Sequence, residues 1–255
     1  NKDNSIFRLN YRYKIGTLND SRQALATQYI QFLGTDTMTA EQISKAFYKI
    51  ACSFNISSGE EYTTVSIEGL QENFEKAVQL YEEVISNAKA DENALKALKA
   101  RIAKSRKDVK ANKNAILQGL TSYATYGPVN KFNSILTTAE LESLTTEDLM
   151  SRLKNMNNYE QTIIYYGPAP LTTFVNQLKA LHKVPATFTA TPAAKVFKPL
   201  LQTQNQVFFT NYDMVQAETR WVRNTETYDA NKNAIITVFN NYFGDIVFQT
   251  IRESK

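Results

Sequence analysis

Apolar and polar residues alternate from residue 6 to 15, with Phe7, Leu9, Tyr11, Tyr13 and Ile15 set against Arg8, Asn10, Arg12 and Lys14. A period of two predicts a half-buried strand. Gly16 to Asp20 turns the chain. The spacing then changes to that of a helix carrying Ala24, Leu25, Ile30 and Phe32 up to a stop at Gly34. Thr39 and Gln42 stand three apart, as in a capping box, and open a second helix with Ile43, Phe47 and Ile50. Two short strands, 53–57 and 62–68, are joined through Ser58-Gly59 as a hairpin. After Gly69, Phe74, Ala77, Val78, Leu80, Tyr81, Val84 and Ile85 mark a strongly amphipathic helix.

A lysine- and arginine-rich helical stretch follows, then a shorter helix over 115–126 stopped by Gly127-Pro128. Thr138-Ala139-Glu140 and Thr146-Glu147-Asp148 each start a further helical turn or helix. Residues 160–166, with Ile163, Ile164, Tyr165 and Tyr166 in succession, are a strand of the buried type closed by Gly167-Pro168, and 171–181 predict one more helix. Strand, helices, hairpin, several helices, strand, helix is the order of an α+β unit, with helices on a mainly antiparallel sheet. It is expected to occupy residues 1–185. Residues 186–206, rich in Ala, Thr, Pro and Gln, are a linker by composition. A second set opens at 207, with strand-like 207–209 and 218–223 and a helix over 232–243 ending at Gly244. Its order of strand, turn, apolar helix and glycine repeats that of residues 6–34, a weak internal repeat by itself.

At 255 residues, two domains are more natural than one. Eight glycines and six prolines are too few for a fibrous or disordered chain. No apolar run reaches the roughly 18–20 residues that cross a bilayer, and no signal peptide is visible. The net charge of +4 has one concentration, on Lys96, Lys99, Arg101, Lys104, Arg106, Lys107, Lys110 and Lys113. Leu95, Leu98 and Ile102 give that stretch an apolar stripe, so the charges form a solvated face. It lacks the aromatics of a nucleic-acid groove, and a basic wall facing peptide carboxylates fits it better. Cys52, beside Ala51 and close to Phe54, is a small buried residue rather than a nucleophile. His182, at a helix end, is expected as a C-terminal cap or surface residue.

Residues 22–35 carry the resemblance that decides the functional reading. Phe32-Leu33-Gly34-Thr35, followed by Met38-Thr39-Ala40-Glu41-Gln42-Ile43, resembles the corner after the His-x-x-Glu-His helix of the pitrilysin- and insulinase-like (M16) zinc peptidases. Further matches are Ile67-Glu68-Gly69-Leu70 ahead of an amphipathic helix, Tyr123-Ala124-Thr125-Tyr126-Gly127, Leu149 and Leu153, and Tyr165-Tyr166-Gly167-Pro168. By this resemblance the motif positions fall on Leu25, Gln28 and Tyr29. A catalytic zinc takes three protein ligands and leaves one position for water. The chain has one histidine and one cysteine. The stretch 93–114, where the family places a third, glutamate ligand, contains no glutamate.

The resemblance therefore implies the zinc-less second half of a clamshell peptidase, with residues 1–185 lacking the opening strand or strands of their domain and 207–255 the start of the second, similar domain. No cofactor is expected in this chain. Zinc is expected in a catalytic half, within the same polypeptide or on a partner subunit, and the chain alone is expected to be inactive. The stretch 247–255 resembles the family's Phe-x-x-(Leu/Ile)-Arg-Glu, which makes Arg252 the candidate for holding the substrate carbonyl and its developing oxyanion. The link from Gly244 to Val247 is short for that placement. Trp221 and Tyr228, near Arg220 and Arg223, form a candidate peptide-binding edge, since an extended peptide can add to a sheet. The expected partners are the zinc-bearing half and a peptide, with no nucleic acid and no membrane span. A purely structural relative is the alternative. A periplasmic or secreted place suits bacterial members of the family, and nothing in the sequence selects a compartment.

Overall fold

The computed structural model describes residues 4–213, 215, 217–224 and 228–253, with Arg252 and Glu253 given by backbone alone. The alternation at the start of the chain becomes β1 (Ile6–Tyr13), on which Phe7, Leu9, Tyr11 and Tyr13 are fully buried. β1 lies inside a four-stranded sheet, between β3 (Thr63–Leu70) and β4 (Gln161–Tyr166), with β2 (Cys52–Ser58) outside β3. Every pairing is antiparallel, and Tyr11 stands opposite Val65 on one side and Ile163 on the other. Side chains alternate along a strand, so this register gathers the apolar rows on one face. The other face carries Ser57, Thr64, Arg12 and Thr162 in one row across all four strands. Asn55, Ser66, Asn10 and Ile164 form the next row. That second face is open, its residues exposed or half-exposed.

The turn after β1 is stitched to the β2–β3 hairpin, where Thr17 N–H donates to the Gly59 carbonyl and Leu18 N–H to that of Glu60, each at 2.9 Å. A side chain at Gly16 would run into the Glu60 carbonyl, which explains the glycine. α1 (Gln23–Tyr29) is shorter than the pattern suggests, because the chain tightens into a 3₁₀ turn at Ile30–Phe32 before the Gly34 corner. The predicted capping box opens α2 (Ala40–Lys49), with Thr39 Oγ1 accepting from Gln42 N at 3.2 Å and Gln42 Oε1 from Thr39 N at 2.8 Å. α3 (Phe74–Asn87) buries Phe74, Ala77, Val78, Tyr81, Val84 and Ile85, the face its periodicity predicts. Phe74 meets the rings of Phe7, Phe174 and Tyr165 edge-on at 5.0, 5.9 and 6.1 Å, tying β1, β4 and α8 (Leu171–Leu181) together. Between them run α4 (Glu92–Lys110), α5 (Lys113–Tyr126), α6 (Thr138–Ser143) and α7 (Thr146–Lys154). α4 buries Leu95 and Leu98 and leaves most of its lysines wet, as its stripe implies. The α+β class expected from the sequence is the one observed.

Four local expectations are corrected. β4 is an edge strand rather than a fully buried one, with Ile164 45% and Tyr166 50% exposed, because four apolar residues in succession do not by themselves tell an edge from a centre. His182 does cap α8, yet it is buried. Its Nδ1 lies 2.7 Å from Glu82 Oε1, its Nε2 meets the Gln161 amide, and its ring sits 4.6 Å from that of Tyr11. Residues 207–209 and 218–223 form no strand among the described residues, since no neighbouring strand lies beside them to make a ladder. The last helix, α9 (Asn233–Phe248), runs through Gly244 and into a π-helical turn at Gln249–Glu253. A glycine ends a helix by taking the left-handed conformation, and Gly244 does not.

The stretch between α8 and α9 is tied to the first unit along its length. Thr189 N–H donates to Asn158 O at 2.7 Å. Lys195 N–H donates to Leu18 O and Leu200 N–H to Thr125 O, each at 2.8 Å.

Candidate functional site

α1 carries the three positions where the resemblance places a zinc motif, and the side chains there are engaged otherwise. Leu25 is half-buried against the core and has no donor atom. Gln28 Oε1 accepts from Arg101 Nη2 at 3.0 Å, and the same guanidinium lies 5.1 Å from the centre of the Phe32 ring. Tyr29 is fully buried, and its hydroxyl serves Asp91 twice: it donates to the backbone carbonyl at 2.8 Å and accepts from the backbone N–H at 2.7 Å. Burial pushes the Tyr29 phenol above its ordinary range, so it stays a neutral donor. These contacts clasp α1 to the start and middle of α4. The donor set does not fit zinc: a hydrocarbon, an amide held by a cation and a buried neutral phenol supply no anionic or imidazole ligand. Among the described residues, no three of histidine, cysteine, aspartate and glutamate gather to form a metal site.

Tyr29→Phe should therefore cost stability rather than chemistry. It removes two part-buried hydrogen bonds to the Asp91 backbone, a loss of about 1–3 kcal/mol at about 0.5–1.5 kcal/mol each. Urea unfolding of the variant measures it, and an unchanged midpoint would mean that water replaces the phenol.

The other candidates lie elsewhere. Trp221 is 93% exposed and Tyr228 74%, both on irregular chain rather than on strands, and Tyr228 Oη accepts from Asn233 Nδ2 at 2.6 Å. Arg252 lies in the π-helical turn after α9, and its side chain falls outside the described residues. Cys52 is buried on β2, and burial raises its thiol pKa, which suits an inert core residue. What sequence reasoning missed is the clasp. Arg101 was legible only as one charge on a basic face, and no local pattern joins Tyr29 to Asp91, sixty-two residues on.

Comparison with known proteins supplies the rest. Residues 26–139 match the insulinase family, peptidase family M16. That stretch is similar to an insulinase-type domain. The family resemblance drawn from the Gly34-Thr35 corner and its companions thus holds, and the match begins within α1 and ends as α6 starts. Among solved structures, the domain is similar in fold to the periplasmic protease PqqL of Escherichia coli, with a TM-score of 0.64 at 13% identity over 78% of this chain and 23% of that one. The ferredoxin protease FusC, solved in complex with Arabidopsis ferredoxin, gives 0.64 at 17% identity over 78% and 22%. A peptidase M16 inactive domain from Pseudomonas fluorescens gives 0.63 at 14% identity over 78% and 50%. This chain thus spans under a quarter of the two proteases and half of the inactive-domain chain. No curated protein sequence matches it. Among the described residues no helix is long and apolar enough to cross a membrane.

Proposed function

We propose that this chain is a non-catalytic part of a zinc metalloendopeptidase, forming the closing half of a peptide-degrading chamber and holding extended peptide. One observation carries the reading: in a peptidase-like fold, two of the positions where the resemblance puts the zinc motif are engaged in the Gln28–Arg101 and Tyr29–Asp91 clasp. A helix wired in this way serves as a wall. The zinc and the carboxylate base then come from another half, in the same polypeptide or on a partner subunit. That half's metal supplies the activated water.

The sheet supports the holding role. Its second face is open and polar, and β2 and β4 are both edge strands, where an extended peptide can gain main-chain hydrogen bonds. Arg252 is assigned to the substrate carbonyl, where a guanidinium keeps its charge and offers several donors as the oxyanion forms. Trp221 and Tyr228, well exposed, are assigned to the peptide.

The test is cleavage of a quenched fluorescent peptide by the chain alone and mixed with the zinc-bearing half. Activity only in the mixture supports the reading. A stable complex without activity would make the chain a scaffold, and tightly bound stoichiometric zinc in the chain alone would overturn the assignment.

A further inference from the structure

The open face of the sheet holds two guanidiniums, and they are in opposite states. Arg8 is paired with Glu68, its neighbour across to β3, at 3.2 Å. The Arg12 side chain has no ion pair and no hydrogen bond among the described residues, and its guanidinium lies over the Tyr62 ring, 4.0 Å from the centroid. Acids at that end of the sheet are committed to others: Glu160 to Lys14 at 2.9 Å and Glu60 to Lys131 at 2.6 Å. Glu61, beside Tyr62 and exposed, forms no ion pair with Arg12. Arg12 is therefore a cation held in place by a ring, with its hydrogen-bond donors free.

Its surroundings suit an oxygen anion. Thr64 and Thr162 flank it in register on the two neighbouring strands, and Ser57 stands one strand further out in the same row. Hydroxyls can donate to the same anion that the guanidinium grips, and a planar fork takes a carboxylate through two parallel bonds. The stacking limits how many rotamers binding must freeze out, which preserves affinity.

The geometry points to Arg12 as the anchor for the side-chain carboxylate of an aspartate or glutamate in a peptide lying across the open sheet face, which makes acidic peptides the preferred ligand class. The inference rests on the peptide-holding role proposed above. Arg12 is on an inner strand, so its ligand comes from a chain passing over the face rather than from a strand added at an edge. Such a chain continues on either side of the arginine, which favours a side-chain carboxylate over a terminal one.

Fluorescence anisotropy tests this with labelled, C-terminally amidated peptides identical except for one glutamate or glutamine. The glutamate peptide should bind the unaltered chain about ten-fold more tightly, in line with the strength of charged hydrogen bonds. Arg12→Gln should abolish that difference. Arg12→Lys should restore only part of it, and Tyr62→Leu should reduce it. Equal binding of both peptides, or a glutamate preference that survives Arg12→Gln, overturns this inference and leaves the peptide-holding role intact. A preference for a free C-terminus over the amide overturns the side-chain assignment. No binding of any peptide rejects both this inference and the role on which it rests.

Discussion

Arg252→Ala, made in the complete two-half peptidase, is expected to lower turnover by about 10²–10³-fold, the usual cost of removing one donor to a developing oxyanion. The expectation comes from the resemblance of residues 247–255 to the family's arginine-bearing stretch and from the function proposed above. The local backbone is compatible with it: the position lies in a π-helical turn that continues α9, and such turns recur at functional sites. A donor that acts on the transition state should change kcat and leave KM nearly constant. The kinetic split is therefore as telling as the size of the loss. A variant with normal turnover would reduce Arg252 to a surface residue. Arg252→Lys separates charge from geometry, because an ammonium keeps the charge and lacks the planar fork. If lysine restores little, the arginine works by directed hydrogen bonds.

Phe74→Ala is expected to cost about 3–5 kcal/mol of folding stability, as for other fully buried phenylalanines. The ring is only 1% exposed and touches Phe7 on β1, Tyr165 on β4 and Phe174 on α8. Removing it opens a cavity where the sheet meets two helices, and those neighbours cannot all move to fill it. With domains stable by only about 5–15 kcal/mol, the loss would leave a measurable unfolded fraction. Tyr48→Ala, at a residue 85% exposed on α2, is the comparison and should stay within about 0.5 kcal/mol. Urea midpoints of the two variants provide the check. A loss below about 1 kcal/mol at Phe74 would mean that the α3–α8 contact is far looser than its ring geometry indicates.

Much of this fold is written in local pattern. The alternation of Phe7, Leu9, Tyr11 and Tyr13 specifies β1 and its buried face, and the spacing of Phe74, Val78, Tyr81 and Ile85 specifies α3 and the side it buries. The Thr39–Gln42 box fixes the start of α2 because its chemistry acts within one turn of helix. What escaped is set by partners distant in sequence. Whether β4 is central or marginal depends on which strands lie beside it, and its own six residues do not carry that information. His182 was expected at a helix end with no means of foreseeing that Glu82 and Gln161 enclose it. The candidate site divides in the same way. The absence of metal-ligating residue types at positions 25, 28 and 29 is visible in the sequence, whereas the clasp made by Gln28 and Tyr29 depends on how α1 and α4 meet. Arg12 was legible as the polar half of an alternation. That it stacks on Tyr62 without an acid to pair with emerges only from the register of three strands.

The clasp between α1 and α4 also bears on how such a peptidase would respond to chelators and to acid. Metal ties require deprotonated ligands, so low pH and chelators dissolve them together with whatever structure they hold. An amide, a backbone peptide and a guanidinium do not titrate in mild acid, and the Tyr29 phenol is pushed further from its charged form. The junction that zinc would otherwise hold therefore survives conditions that strip zinc. An enzyme built with this chain as one wall would be disarmed by chelation on one side only. The other wall would remain folded and ready to close again once the metal returned.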